Sequence, residues 1–117
     1  MSANKRAVQE YMDAFNVTDH ARILARLTDD VEWIVPGAFH TRGKQAFDRE
    51  IEGEQFVGSP EITVTRMIEE NDVVVAEGKV RTTRKVGGVL NLEFCDVFEM
   101  RQGKIRRLTS YVVALPG

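Results

Sequence analysis

Cysteine is nearly absent from this chain. Cys95 stands alone, so no internal disulfide can form, and a cysteine-built zinc site lacks its ligands. The only histidines, His20 and His40, lie far apart in the sequence, and no cluster of metal-ligand residues surrounds either. No Gly-rich phosphate loop follows a strand, so no cofactor is implied. Apolar runs of membrane-spanning length are missing, and the start of the chain, MSANKRAVQEYMDAF, lacks the apolar core of a secretion signal. Net charge is small, at -2, and the basic residues are scattered, which argues against a nucleic-acid footprint. These absences predict a soluble cytoplasmic chain with no nucleic-acid or membrane partner. With 43% hydrophobic and 29% charged residues over 117 positions, the composition fits one folded domain, residues 1–117.

Periodicity divides the chain into two halves. Val8, Tyr11, Met12 and Phe15 recur at helical spacing. Asn16-Val17-Thr18-Asp19 breaks that pattern, and Thr18 or Asp19 can cap a second helix. That helix is expected to carry Ile23, Leu24 and Leu27 inward and to stop near Asp29-Asp30. A short strand, Val31 to Val35, ends at Pro36-Gly37. A loop with His40 follows, then a third helix around Ala46, Phe47 and Ile51, then a loop from Gly53 to Pro60. From Glu61 the spacing becomes two. Ile62, Val64, Arg66 and Ile68 are expected on one face of the first long strand. Further strands are predicted from Val73 to about Lys85, from Val89 to about Arg101, and from Ile105 to about Leu115, separated by turn residues. Helices first and an antiparallel meander last make an α+β layout.

One residue breaks its own pattern. Along Val89–Arg101, alternate positions put Leu90, Leu92, Phe94, Asp96, Phe98 and Met100 on a single face. Asp96 is the only polar member. A carboxylate among apolar side chains must be paired, hydrogen-bonded or protonated, and burial raises its pKa. Asp96 is therefore a candidate for chemistry, against the alternative of a structural pairing with an arginine such as Arg66 or Arg84. Tyr11, on the apolar helix face, carries a hydroxyl that needs a partner, although such a tyrosine is commonly a core residue. Trp33 is either core or an aromatic wall for an apolar ligand.

The order of elements resembles the nuclear-transport-factor-two-like superfamily. The resemblance is carried by Val8-Gln9-Glu10-Tyr11, by Leu27 to Trp33, by Gly43 to Phe47, by Asp96-Val97-Phe98-Glu99 and by Arg101 to Ile105. It implies a cone-shaped, curved, antiparallel (mixed) sheet packed on three N-terminal helices. Within the superfamily the chain is similar to ketosteroid isomerase and to the SnoaL-like group, which includes polyketide cyclases. The resemblance makes Tyr11 and Asp96 the two donors that hold an enolate oxygen, an arrangement well known from ketosteroid isomerase rather than derived from this sequence. It puts Val35, before Pro36, where that enzyme has its aspartate base. His40 is the best substitute by chemistry, because histidine titrates near neutral pH, though an exposed loop histidine is its plainer reading. Trp33, Val35, Phe94, Phe98 and Tyr111 are the expected walls of the ligand pocket. Limonene epoxide hydrolase is another branch of the fold, but Ser110 and Arg81-Thr82-Thr83 stand where its carboxylates belong. Homodimer formation through the sheet is also implied. Outer-face residues Glu77, Lys79, Arg81, Asn91, Glu93 and Glu99 suggest that this surface is polar rather than greasy.

Overall fold

The computed structural model describes residues 1–116. Helix α1 spans Ala3–Asn16, and Ser2 caps it by accepting from the backbone N–H of Lys5 at 3.0 Å. Thr18, at φ +51°, turns the chain out of that helix. Asp19 then caps α2, His20–Leu24, by accepting from the N–H of Arg22 at 3.1 Å. This second helix is shorter than its spacing suggests. Leu27 belongs instead to strand β1, Leu27–Val35, because Arg26 C=O accepts from Ile105 N–H at 2.8 Å and pulls the chain into the sheet. Tertiary pairing here overrides helical periodicity.

The His40 segment is a strand as well. Strand β2, Phe39–Arg42, forms a hairpin with β1, pairing Val35 with Phe39 and Ile34 with His40. Helix α3, Lys44–Ile51, follows Gly43, whose φ of +87° few other residues adopt. Four long strands complete the chain: β3 Phe56–Glu70, β4 Val73–Arg84, β5 Gly88–Arg101 and β6 Lys104–Ala114. The sheet order is β2-β1-β6-β5-β4-β3, antiparallel throughout except where β1 runs parallel to β6. The result is the mixed, curved, open sheet on three helices that the sequence resemblance implied.

Strand β3 begins earlier than the turn residues suggest, and it is irregular. Its register with β4 shifts between Val57 and Glu61, and again between Val64 and Arg66. Both irregularities insert residues on β3 only and bend it; the first adds two residues and keeps the facing, whereas the second adds one and reverses it. Ile62 and Val64 face the core. Past the second bulge the phase flips, so Met67 packs on the core while Arg66 and Ile68 are exposed. Arg66 is thus no partner for a buried carboxylate; it pairs with Glu77 on the outer surface, Nε donating at 2.7 Å. Asn16 ties the end of α1 to this bent strand through both backbone groups of Ile62, at 2.6 and 3.2 Å. The core lies between helices and sheet, with Val8, Ile23, Leu27, Phe47, Phe98, Ile105 and Leu108 fully buried.

Candidate active site

Strand β5 keeps its alternation through the core. Phe94, Asp96, Phe98 and Met100 are buried, while Cys95, Val97 and Glu99 face the other way. Asp96 is 9% exposed and reaches a cavity of about 520 Å³ between helices and sheet. Burial pushes its carboxyl up to about 7, and only the neighbouring Ser110 hydroxyl acts in the opposite direction. Ser110 is the direct partner of Asp96 across the β5–β6 ladder, so sheet register fixes the pair. On its other side Ser110 Oγ accepts from Trp33 Nε1 at 3.1 Å. With that lone pair engaged, the hydroxyl is free to donate toward Asp96.

Tyr11 comes to the same place from α1. It is 2% exposed, and burial, with the Asp96 charge second, holds its phenol well above the ordinary value of 10.0. Tyr11 therefore remains a protonated donor at any working pH. Its ring is fixed by aromatic neighbours, with centroids 5.6 Å from Phe15 and 5.6 Å from Phe98 in an edge-on arrangement. Trp33 stacks on Phe47 at 4.4 Å and meets Phe39 edge-on at 5.1 Å. Val35 and Phe94 also line the cavity.

The structure thus gathers Tyr11, Trp33, Val35, Phe94 and Asp96 around one space. Three other expected residues lie elsewhere. His40 does not line the cavity, because strand alternation in β2 turns Phe39 inward and His40 outward, where its Nε2 meets Glu32 at 2.9 Å. That contact, foremost, holds the Glu32 carboxyl below its usual range. Phe98 is fully buried behind Tyr11 and is core rather than wall. Tyr111 pairs with Cys95 and is 52% exposed on the outer face. There it joins Val75, Val97 and Val113, so the outer face is less uniformly polar than its charged positions suggest.

Sequence reasoning did not assign Ser110 and Thr82 to the cavity, and both are buried on its lining. Each is a lone hydroxyl on the inner face of a strand, the same kind of signal that exposed Asp96. Also unforeseen is a link between α2 and α3. His20 Nδ1 lies 2.6 Å from Asp48, and its Nε2 lies 2.5 Å from Glu52. Both ring nitrogens can donate only in the imidazolium, and the two carboxylates, Asp48 first, raise the His20 pKa. Glu52 belongs to the cavity entrance with Ala38, Glu50, Gln55 and Gly58, all exposed. Among the described residues no group of three or more His, Cys, Asp or Glu is arranged to hold a metal ion. No described helix is long and apolar enough to cross a membrane.

A family profile for the SnoaL-like domain matches residues 8–108, which include the helix with Tyr11 and the strand with Asp96. The chain belongs to the SnoaL-like family. Solved structures of nuclear-transport-factor-two-like proteins superpose on it closely. One is a protein of unknown function from Burkholderia pseudomallei, 23% identical, with 94% of this chain and 90% of that one covered at a TM-score of 0.86. TerC, crystallised with polyporic acid, is 24% identical over 93% of this SnoaL-like chain and 90% of its own, at a TM-score of 0.84. An LEH-like epoxide hydrolase from M. tuberculosis is 20% identical, covering 95% and 83%, at 0.82. Likeness at this level of identity establishes the shared fold. A search of curated proteins finds no match.

Proposed function

We propose that this SnoaL-like protein binds an apolar carbonyl compound and promotes chemistry through its enol, with Tyr11 and Asp96 donating hydrogen bonds to the oxygen. The observation that carries this reading is the setting of Asp96, a carboxyl buried at the end of an apolar cavity and titrating near neutrality. In its protonated form it is a donor, and Tyr11 beside it is always one. As negative charge grows on a carbonyl oxygen, fixed donors in a dry site lower the barrier, and losing one donor typically costs about 3 kcal/mol. A carboxyl that titrates near the working pH also suits general acid–base transfer. Isomerisation, cyclisation and dehydration all pass through such an enol.

A second reading has its own support. Val35 stands where a ketosteroid isomerase would carry its base, and Val35 cannot accept a proton. On that reading the cavity holds its ligand without chemistry. Replacing Asp96 by Asn separates roles, because Asn donates a hydrogen bond but cannot shuttle a proton. Turnover of an enone or polyketide substrate that survived Asp96→Asn in full would exclude Asp96 as the proton carrier.

Binding itself is tested with naphthols, which mimic an enol, using the fluorescence of Trp33, the only tryptophan. Affinity in the native protein is expected to fall as pH rises past about 7, where Asp96 loses its proton. Asp96→Leu should bind about tenfold more weakly at pH 6, the worth of one buried hydrogen bond, and should lose the pH dependence. Equal affinity in the two proteins would sink the reading. We also propose that two copies pair through the outer sheet face around Val97, Tyr111 and Val113, whose apolar groups support an interface; light scattering that gave a monomer mass would dismiss it.

A further inference from the structure

The inner face of β4 contains a second exception to apolar alternation. Val74, Ala76, Gly78 and Val80 lead to Thr82, which is 9% exposed and lines the cavity. Ala76 is the cross-strand partner of Asp96, so Thr82 stands six residues further along the same face (82 − 76). At about 3.3 Å per residue that separation is about 20 Å. The wall between them is apolar, made by Val80, Leu92, Phe94, Val112 and Ile62. Opposite Thr82, strand β3 is bulged: Val57 pairs with Thr83 and Glu61 with Arg81. The intervening Gly58 and Pro60 line the cavity as Thr82 does. The cavity is therefore an apolar trough with a hydrogen-bonding group at each end.

Charge around the trough narrows its occupant further. Among the described residues, no lysine, arginine or histidine lines it, whereas Glu50 and Glu52 stand at its entrance. An anionic group would find no cation on the lining and would meet Glu50, with Glu52 already paired to His20.

We propose that the trough takes an elongated, uncharged molecule with an oxygen function at both ends, one end held by Asp96 and the other by Thr82. This rests on the reading of Asp96 as an oxygen anchor and adds the length, the charge and the second anchor. Allowing one hydrogen bond of about 2.8 Å at each end, the two ligand oxygens lie about 14 Å apart along a straight path, and less along the chord of the curved sheet. A single naphthol fills only the Asp96 end.

The test compares two rigid probes, trans-stilbene with a hydroxyl at one end and trans-stilbene with a hydroxyl at each end, by Trp33 fluorescence. The native protein is expected to prefer the two-ended probe about fivefold, the worth of one net hydrogen bond. Thr82→Val keeps shape and strand preference but removes the hydroxyl, and it should abolish the preference, bringing the two affinities together. Thr82→Ser, which restores a hydroxyl, should restore the preference. A carboxylate placed at the far end should weaken binding in all three proteins. Equal binding of both hydroxyl probes in the native protein, or a preference that survives Thr82→Val, overturns the assignment of Thr82 while leaving the Asp96 reading intact. Failure of naphthol and of both probes to bind would instead overturn the Asp96 reading, and this inference with it.

Discussion

Asp96 couples function to stability at a single residue. Its pKa is raised from 3.8 to about 7 in the folded protein, so the folded state prefers the proton. The stability it permits is complete below about pH 4 and is lost as pH rises through 7. Between those values the cost accumulates toward about 2–4 kcal/mol, since a tenfold difference in proton affinity between folded and unfolded chains is worth about 1.4 kcal/mol. Asp96→Asn, similar in shape and never charged, is expected to melt higher than the native protein at pH 8 and equally at pH 4. Thermal melts at the two pH values check this, and a less stable variant at pH 8 would mean that Asp96 is paired as an anion. The gain in stability should come with a loss of function, as is usual where a site holds a strained or costly group. Asp96 and Tyr11 could be picked out from the sequence because each is polar where its face is apolar. Ser110 and Thr82 send the same signal more faintly, since a hydroxyl residue on an inner strand face costs far less than a carboxylate. His40 misled because its chemistry is suitable and only the facing of β2 disqualifies it.

Among the elements, β3 and β4 shape the cavity, and at Gly78 they leave no room for a side chain. A Cβ at Gly78 would lie 2.1 Å from the backbone oxygen of Thr63 and 2.8 Å from the Phe94 ring. Backbone cannot move aside as a flexible side chain can. Gly78→Ala is expected to destabilise by about 3 kcal/mol or more and to displace Phe94 from the cavity wall, read as a lower melting temperature and weaker naphthol binding. A variant as stable as the native protein would show that the two strands can separate at that point without cost. Bulges flanking this stretch, between Val57 and Glu61 and between Val64 and Arg66, supply the bend that makes a cone out of a sheet. The apolar spacing of β3 could not announce them. A strict period of two put Arg66 with Ile62 and Val64, whereas the bulge turns it out to Glu77. The early end of α2 has a similar cause, since Leu27 suits a helix by spacing but is claimed by its parallel neighbour Ile105.

For the whole molecule, the outer sheet face is where the proposed pairing of two copies would take place. Cys95 pairs with Tyr111 and with Glu77, Val97 with Thr109 and with Val75, and Glu93 with Val113, so the apolar group of Val75, Val97, Tyr111 and Val113 is interleaved with Glu77 and Glu93. Placing Glu at Tyr111 should convert a dimer to a monomer in light scattering without disturbing naphthol binding, because Tyr111 and the cavity lie on opposite sides of the sheet. Unchanged mass would remove this face as the interface. In a dimer the cavities would open away from the shared surface.

The order of residues alone was enough for the α+β layout, for the helices and every strand but β2, and for the inward facing of Asp96 and Tyr11, while the family resemblance supplied the fold family. The layout and the facing of these residues follow from local periodicity and residue chemistry, which a linear chain displays openly. Long-range packing was needed to pair Asp96 with Ser110, itself held by Trp33, and to join His20 to Asp48 and Glu52. It also placed His40, Phe98 and Tyr111 outside the cavity and put Thr82 at its far end. The physical reason is that each depends on cross-strand register, on a bulge that changes a strand's facing, or on contact between elements distant in the chain, and no local pattern encodes any of these.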